Sequence, residues 1–192
     1  MSNFFSFISR MKYIERWSLM RNTIKENIME HSEQVAQIGH ALALIRNRFF
    51  DGNINAEKVA LIGMYHEVAE VITGDLPTPI KYYNLGIKDE FKKLELNATK
   101  KILAMLPEEL QPDYRDIILA DTSSEEYKLM KCADKICAYI KCIEEIRSGN
   151  SEFTEAKKST KKAIDEITYP EVKYFMDNFI DGFEKTLDEI NS

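Results

Sequence analysis

Residues 55–79 read NAEKVALIGMYHEVAEVITGDLPTP, and the periodicity of this stretch sets the reading of the rest of the chain. Val59, Ile62, His66 and Thr73 follow the spacing of one helical face, with Asn55 placed to cap its start and Gly74 its end. Beyond Gly74, Asp75-Leu76-Pro77-Thr78-Pro79 cannot continue the helix, because each proline lacks a donor and restricts the residue before it. The stretch therefore predicts a helix with a histidine on its inward face, followed by a rigid loop.

The same period extends in both directions. Upstream, Val35, Ile38, Leu42, Ile45 and Phe49 mark a helix whose core-facing stripe, stepped back one turn, reaches His31. Phe4, Phe7, Ile8, Met11, Ile14 and Trp17 predict an amphipathic first helix ending near Arg16-Trp17. Downstream, Phe91, Leu94, Ala98, Ile102 and Met105 mark a helix closing before Pro107, and a shorter one covers Pro112 to Ala120. Ser123 with Glu126 forms a capping-box pattern opening a helix with Met130, Ala133, Cys137, Ile140 and Ile143 on its apolar stripe and Asp134 beside it. That helix closes at Ser148-Gly149-Asn150, and helical segments follow over Ser151–Ile167 and Glu171–Ile190, the last striped by Phe175, Phe179, Phe183, Leu187 and Ile190. No useful length alternates with period two, and 7 Gly and 5 Pro against 44% hydrophobic residues leave few turns. The expectation is an all-α bundle in a single domain over residues 1–192.

Composition narrows the partners. The net charge is -6, and no run of Lys or Arg is long enough to follow a phosphodiester backbone, so polymeric nucleic acid is not expected. Charges at Arg10, Lys12, Glu15 and Arg16 cut the N-terminal apolar run short of a membrane span, and they follow that run rather than preceding it as in a signal peptide. A soluble, cytoplasmic protein without a membrane partner is expected. Cys132, Cys137 and Cys142 are five apart and odd in number, which fits reduced thiols in or beside the core.

Of the three histidines, His31 and His66 fall on inward faces of different helices. Either alone reads as a hydrogen-bonded core histidine. Together with Glu67, adjacent to His66, and Asp134, they make a mixed imidazole and carboxylate set suited to Mn, Fe, Co, Ni or Zn.

The order His31, His66-Glu67, Asp134 resembles the H...HD...D signature of HD-domain phosphohydrolases, with HE in place of HD. Arg16-Trp17, Glu30-His31-Ser32, Tyr65-His66-Glu67-Val68-Ala69-Glu70, Thr73-Gly74-Asp75-Leu76-Pro77-Thr78-Pro79 and Ala133-Asp134-Lys135-Ile136-Cys137-Ala138-Tyr139 are similar to YfbR-type bacterial 5'-deoxynucleotidases over most of the chain. The resemblance implies an HD-type helical bundle, a homodimer, and hydrolysis of deoxyribonucleoside 5'-monophosphates. It also implies one divalent ion (Co, Mn, Zn, Ni, Fe or Mg) held by His31, His66, Asp134 and, in place of the family's Asp, Glu67.

Further roles carry over with the family. Arg16 would orient the phosphate, Trp17 would pack near the sugar, and Asp75, Leu76, Pro77 and Thr78 would line the nucleoside pocket, with His31 and Glu67 also bordering the substrate. Glu70 would move a proton, and Arg16 and Asp75 would join it in the catalytic set. The chemistry suits these residues: a guanidinium offers a planar fork to phosphate oxygens, and an indole against C2' leaves no room for a hydroxyl. The extra methylene of Glu67 shifts its carboxylate by about 1.5 Å, against a ligand tolerance of about 0.2 Å, so a shifted helix or altered rotamer has to compensate. Two other readings stand beside this one, an HD-type hydrolase of another small phosphoester and a nucleotide-binding protein whose catalysis Glu67 has weakened.

Overall fold

The computed structural model of the chain describes residues 1–77, 80 and 84–191. Three helices build its centre: α2 (Ile28–Phe49), α3 (Ala56–Tyr65) and, later in the chain, a long helix over Glu125–Arg147. Helix α2 starts at a capping box in which Asn27 Oδ1 accepts from the amides of Met29 and Glu30, both at 3.0 Å. Asn55 caps α3 by accepting from Lys58 N at 2.9 Å. The apolar stripes of all three meet in a core that includes Val35, Leu42, Val59, Ile62, Met130, Ile136 and Ile140. Each such aliphatic side chain, fully buried, stabilises the fold by about 1.5–3 kcal/mol.

The remaining elements are α1 (Phe4–Ile8), a short α4 (Glu70–Thr73), α5 (Leu85–Leu103), α6 (Gln111–Ile118), α7 (the Glu125–Arg147 helix), α8 (Thr154–Asp165), α9 (Pro170–Phe179) and α10 (Leu187–Ile190). A second apolar cluster of Phe4, Met11, Ile28, Val68, Ile102, Leu103, Leu106 and Ile118 binds α1, α5 and α6 to the start of α2 and the turn after α3. No strand occurs among the described residues, only an isolated antiparallel bridge between Glu15 and Asn27. No helix among them is long and apolar enough to cross a membrane. All three cysteines are free and buried.

Four boundaries differ from the sequence reading. The first helix does not reach Arg16-Trp17: α1 gives way to a 3-10 turn over Ser9–Tyr13, and Ile14 is extended. Backbone bonds from Ile28 N to Ile14 O (3.0 Å) and Arg16 N to Glu26 O (2.9 Å) hold this strand-like segment against the entry to α2, which a continuing helix could not do. Helix α3 stops at Tyr65 instead of running through His66 to Thr73. The Gly63 carbonyl, needed by the next helical turn, accepts from His66 Nδ1 at 2.7 Å, a side-chain bond that competes with the backbone ladder.

The cap of α7 is Ser124, whose hydroxyl accepts from Tyr127 N, and not Ser123, whose hydroxyl is engaged by Asp121 at 2.7 Å. The C-terminal segment breaks into α9, a 3-10 turn at Ile180–Glu184 and α10, with Thr186 capping the last piece. Phe175 is buried and Phe183 packs partly buried against the core, but Phe179, Leu187 and Ile190 are exposed, so the expected core stripe holds only in part.

Candidate active site

The four donors of the H...HE...D pattern arrive from three places. His31 lies one turn into α2, Asp134 lies midway along α7, and His66 and Glu67 sit where α3 has just ended. One ligand atom from each lies within 4.8 Å of all the others. The imidazoles of His31 and His66 have ring centroids 5.3 Å apart. His31 Nε2 is 3.1 Å from Asp134 Oδ1, and His66 Nε2 is 3.1 Å from Glu67 Oε1.

The chain tightens where α3 ends, next to Glu67. Val68 N bonds to Tyr65 O and Glu70 N to Glu67 O, so this segment is tighter than an α-helix, and the longer carboxylate reaches the cluster from there. His66 Nδ1 can only donate to the Gly63 carbonyl, which turns the Nε2 lone pair of the neutral ring toward the cluster. That Nε2 is buried without a hydrogen-bond partner. A lone pair left without a partner beside two carboxylates and a second imidazole fits a divalent cation, and the donor types suit Mn, Fe, Co, Ni or Zn.

The local electrostatics prepare these groups for ligation. Burial and the positive charge of Arg16 push the His31 pKa down, which favours the neutral ring. Burial opposes the charge on Asp134, but the ammonium of Lys131 and the bond with His31 hold its pKa well below the usual carboxylate range. Burial likewise opposes ionisation of Glu67, and the adjacent His66 ring together with Glu70 overcomes it, holding the Glu67 pKa below the usual carboxylate range. Lys131 donates directly to Asp134 Oδ2 from one turn earlier on α7.

One cavity opens on the cluster and another on Arg16. The first, of about 660 Å³, is lined by His66, Glu67, Glu70, Lys88, Lys92 and Lys131 among others. Glu70, which reads from sequence as a solvated helix residue unless the motif applies, is buried here and hydrogen-bonded to Glu67. The second cavity, of about 480 Å³, brings Arg16 and Trp17 against Asp75, Leu76 and Pro77, which are some sixty residues away in sequence. Thr78, and Pro79 after it, lie outside the described residues. His31 is fully buried and lines neither of these two cavities.

Arg16 and Trp17 are held in an unusual pose. Trp17 has φ of 59°, in the left-handed region that bulky side chains avoid. Its indole packs on Phe153 with centroids 5.4 Å apart. Arg16 pairs at 2.7 Å with Glu26, whose other oxygen stands 3.9 Å from His31 Nδ1, which brings the guanidinium close to the four-donor cluster. Sequence reasoning missed Lys131 and Glu26. Lys131 stands three residues before Asp134 on one helix, a spacing that announces an ion pair; Glu26 lies in a segment without period and carries no such signal.

Comparison with known proteins follows the same line. The family model described as 5'-deoxynucleotidase YfbR-like matches residues 3–183. A 5'-deoxynucleotidase of Photorhabdus temperata is 54% identical over 192 residues, covering 100% of this chain and 98% of its own length. One from Photobacterium profundum is 51% identical over 191 residues, covering 99% and 98%. Among solved structures, an HD-domain phosphohydrolase from Listeria innocua superposes with a TM-score of 0.82 at 23% identity, covering 98% of this chain and 91% of that one. An HD phosphohydrolase of cyanophage S-2L, bound to dA and one catalytic Zn2+ ion, gives 0.61 at 17% identity, covering 92% and 96%. At these identities the two structures speak for a common fold.

Proposed function

The chain belongs to the YfbR-like 5'-deoxynucleotidase family, and we propose that it hydrolyses deoxyribonucleoside 5'-monophosphates to deoxyribonucleosides and inorganic phosphate. The observation that carries this reading is the meeting of His31, His66, Glu67 and Asp134 within 4.8 Å. These four would hold one divalent ion. Held there, the ion would supply Lewis-acid polarisation of the phosphate and a water that is nucleophilic near neutral pH.

The chain's own residues supply the rest. Arg16, with N–H groups beyond the one given to Glu26, is the donor for phosphoryl oxygens and offsets their charge. Trp17, braced by Phe153, closes the space beside the sugar C2' and so favours deoxyribose. Asp75, Leu76 and Pro77 form the nucleoside side of the cavity they share with Arg16 and Trp17, and the proline limits the entropy lost on binding. Glu70, buried beside Glu67, takes a proton from the attacking water or gives one to the departing 5'-oxygen.

Measuring phosphate release from deoxyribo- and ribonucleoside monophosphates with Mn, Co, Mg or Zn tests the reading. We expect turnover of the deoxynucleotides that EDTA abolishes. Equal rates on AMP and dAMP would replace it with a broader phosphoesterase, and nucleotide binding without turnover under any metal would replace it with a binding protein. The reading extends to a cytoplasmic homodimer, in keeping with an exposed groove bordered by Ile8, Met11, Met29 and Met64; sedimentation as a monomer would remove that part.

A further inference from the structure

Glu26 belongs to none of the motifs above, yet it touches both halves of the site. Its Oε2 accepts from Arg16 Nη1 at 2.7 Å and from Trp17 Nε1 at 3.2 Å. Its Oε1 stands 3.9 Å from His31 Nδ1. Its backbone carbonyl also accepts from Arg16 N at 2.9 Å. The side chain is mostly buried, at 14% exposure.

A carboxylate beside an arginine that binds phosphate carries a cost, because its charge repels the incoming dianion. It is retained to advantage only if it contributes something the phosphate needs. Two features of the structure identify that contribution. Trp17 is strained by its positive φ, a conformation costing on the order of 1–3 kcal/mol that surrounding contacts have to maintain. His31 Nδ1 is buried with no hydrogen-bond partner. If His31 presents its Nε2 lone pair to an ion beside Asp134, the neutral ring carries its proton on Nδ1, facing Glu26. A small rotation of either side chain turns 3.9 Å into a hydrogen bond, the carboxylate–histidine arrangement that orients metal ligands in many proteins.

We propose that Glu26 is the positioning residue that couples the two halves of the site, fixing Arg16 and Trp17 in the pose that receives the nucleotide while orienting His31 toward the metal. This inference rests on the proposed deoxynucleotidase function. It predicts that one side chain sets both metal affinity and sugar discrimination, although it contacts neither the ion nor the reacting atoms.

The test compares wild type with Glu26→Gln and Glu26→Asp in three measurements: visible-absorbance titration of the metal-free protein with Co2+, kcat and KM on dAMP and AMP, and Tm. For Glu26→Gln we expect Co2+ affinity to fall about 10- to 100-fold, KM for dAMP to rise, and the preference for dAMP over AMP to shrink, with Tm close to wild type. Glu26→Asp, which keeps the charge, should recover part of each loss. Wild-type Co2+ affinity and wild-type dAMP preference in Glu26→Gln would overturn the proposal. So would losses in both variants that follow Tm alone, with the dAMP to AMP ratio unchanged. If wild type binds Co2+ but hydrolyses no deoxynucleotide, the deoxynucleotidase reading fails, and the titration still judges Glu26 as a support for His31.

Discussion

Gly63 faces the backbone of Ala36 so closely that a methyl group on its α-carbon would stand 2.9 Å from Ala36 Cα and N. The neighbour is main chain and cannot swing away. This contact lets α3 lie against α2, and three residues later His66 reaches the ring of His31. Local sequence and tertiary geometry meet at this one hydrogen-for-methyl difference.

Gly63→Ala is therefore expected to force the helices apart. Overpacking of this kind costs about 1–3 kcal/mol, and thermal unfolding should show a lower Tm. Because the displacement falls between two proposed ligands, Co2+ affinity should fall as well. An unchanged Tm would mean that the α2–α3 crossing has slack.

Metal should stabilise the fold. An ion that binds only the folded chain adds about 4 kcal/mol at a thousand times its dissociation constant, so Zn2+ or Co2+ should raise Tm of the metal-free protein and EDTA should reverse the rise. Asp134→Asn removes one charged ligand and leaves Lys131 without its partner. That variant should lose most of the Tm increment, and one that kept it would exclude Asp134 from the ligand set.

Glu70→Gln separates proton transfer from ligation. The amide can still donate a hydrogen bond to Glu67 but cannot carry a proton between water and leaving group. The expected result is a kcat lower by about 10²- to 10⁴-fold, with Co2+ affinity retained. Full turnover would remove Glu70 from the mechanism.

The segment that follows Trp17 is tied down from inside. Glu145, fully buried, accepts from the amides of Thr23 (2.9 Å) and Ile24 (3.0 Å) and from Asn150 (2.8 Å), and pairs with the buried Lys141. Burial opposes its charge, but the bonds from Lys141, Asn150 and the two amides bring its pKa from 4.5 down to about 2. A depressed carboxylate pKa stabilises the fold fully above the unfolded value. The contribution should fade as pH falls from 4.5 to about 2, seen as a declining Tm. Glu145→Gln leaves Lys141 a buried unpaired charge, which costs about 3–5 kcal/mol, and should also flatten that acid limb. A variant as stable as wild type at neutral pH would show that the segment is held by other contacts.

Much of this was legible in the residues. Apolar spacing located α2 and α7 closely and the second half of α5, since a helix that buries one face must repeat with its own period. The four-donor cluster was legible because His31, His66-Glu67 and Asp134 keep a recognisable order, and TGDLPTP singled out the subfamily. Where the reading failed, a side chain had taken a role that periodicity does not encode. His66 took the Gly63 carbonyl and ended α3 early, and Asp121 took Ser123 and moved the cap of α7 to Ser124. Of the stripe after Phe175, Phe183 still meets the core, while Phe179, Leu187 and Ile190 are exposed.

By itself the sequence determined which segments are helical, which residue types are available to an ion, and which family the chain resembles, all properties set by local period and motif. Only the tertiary structure decided that His31 and Asp134, 103 residues apart, stand 3.1 Å from each other, and that Arg16 and Trp17 leave the helix to meet Glu26. The physical reason is that helical period records which face is buried, whereas the distance between side chains on separate elements follows from how closely those faces pack, here with Gly39 of α2 against Ala133 and Met130 of α7.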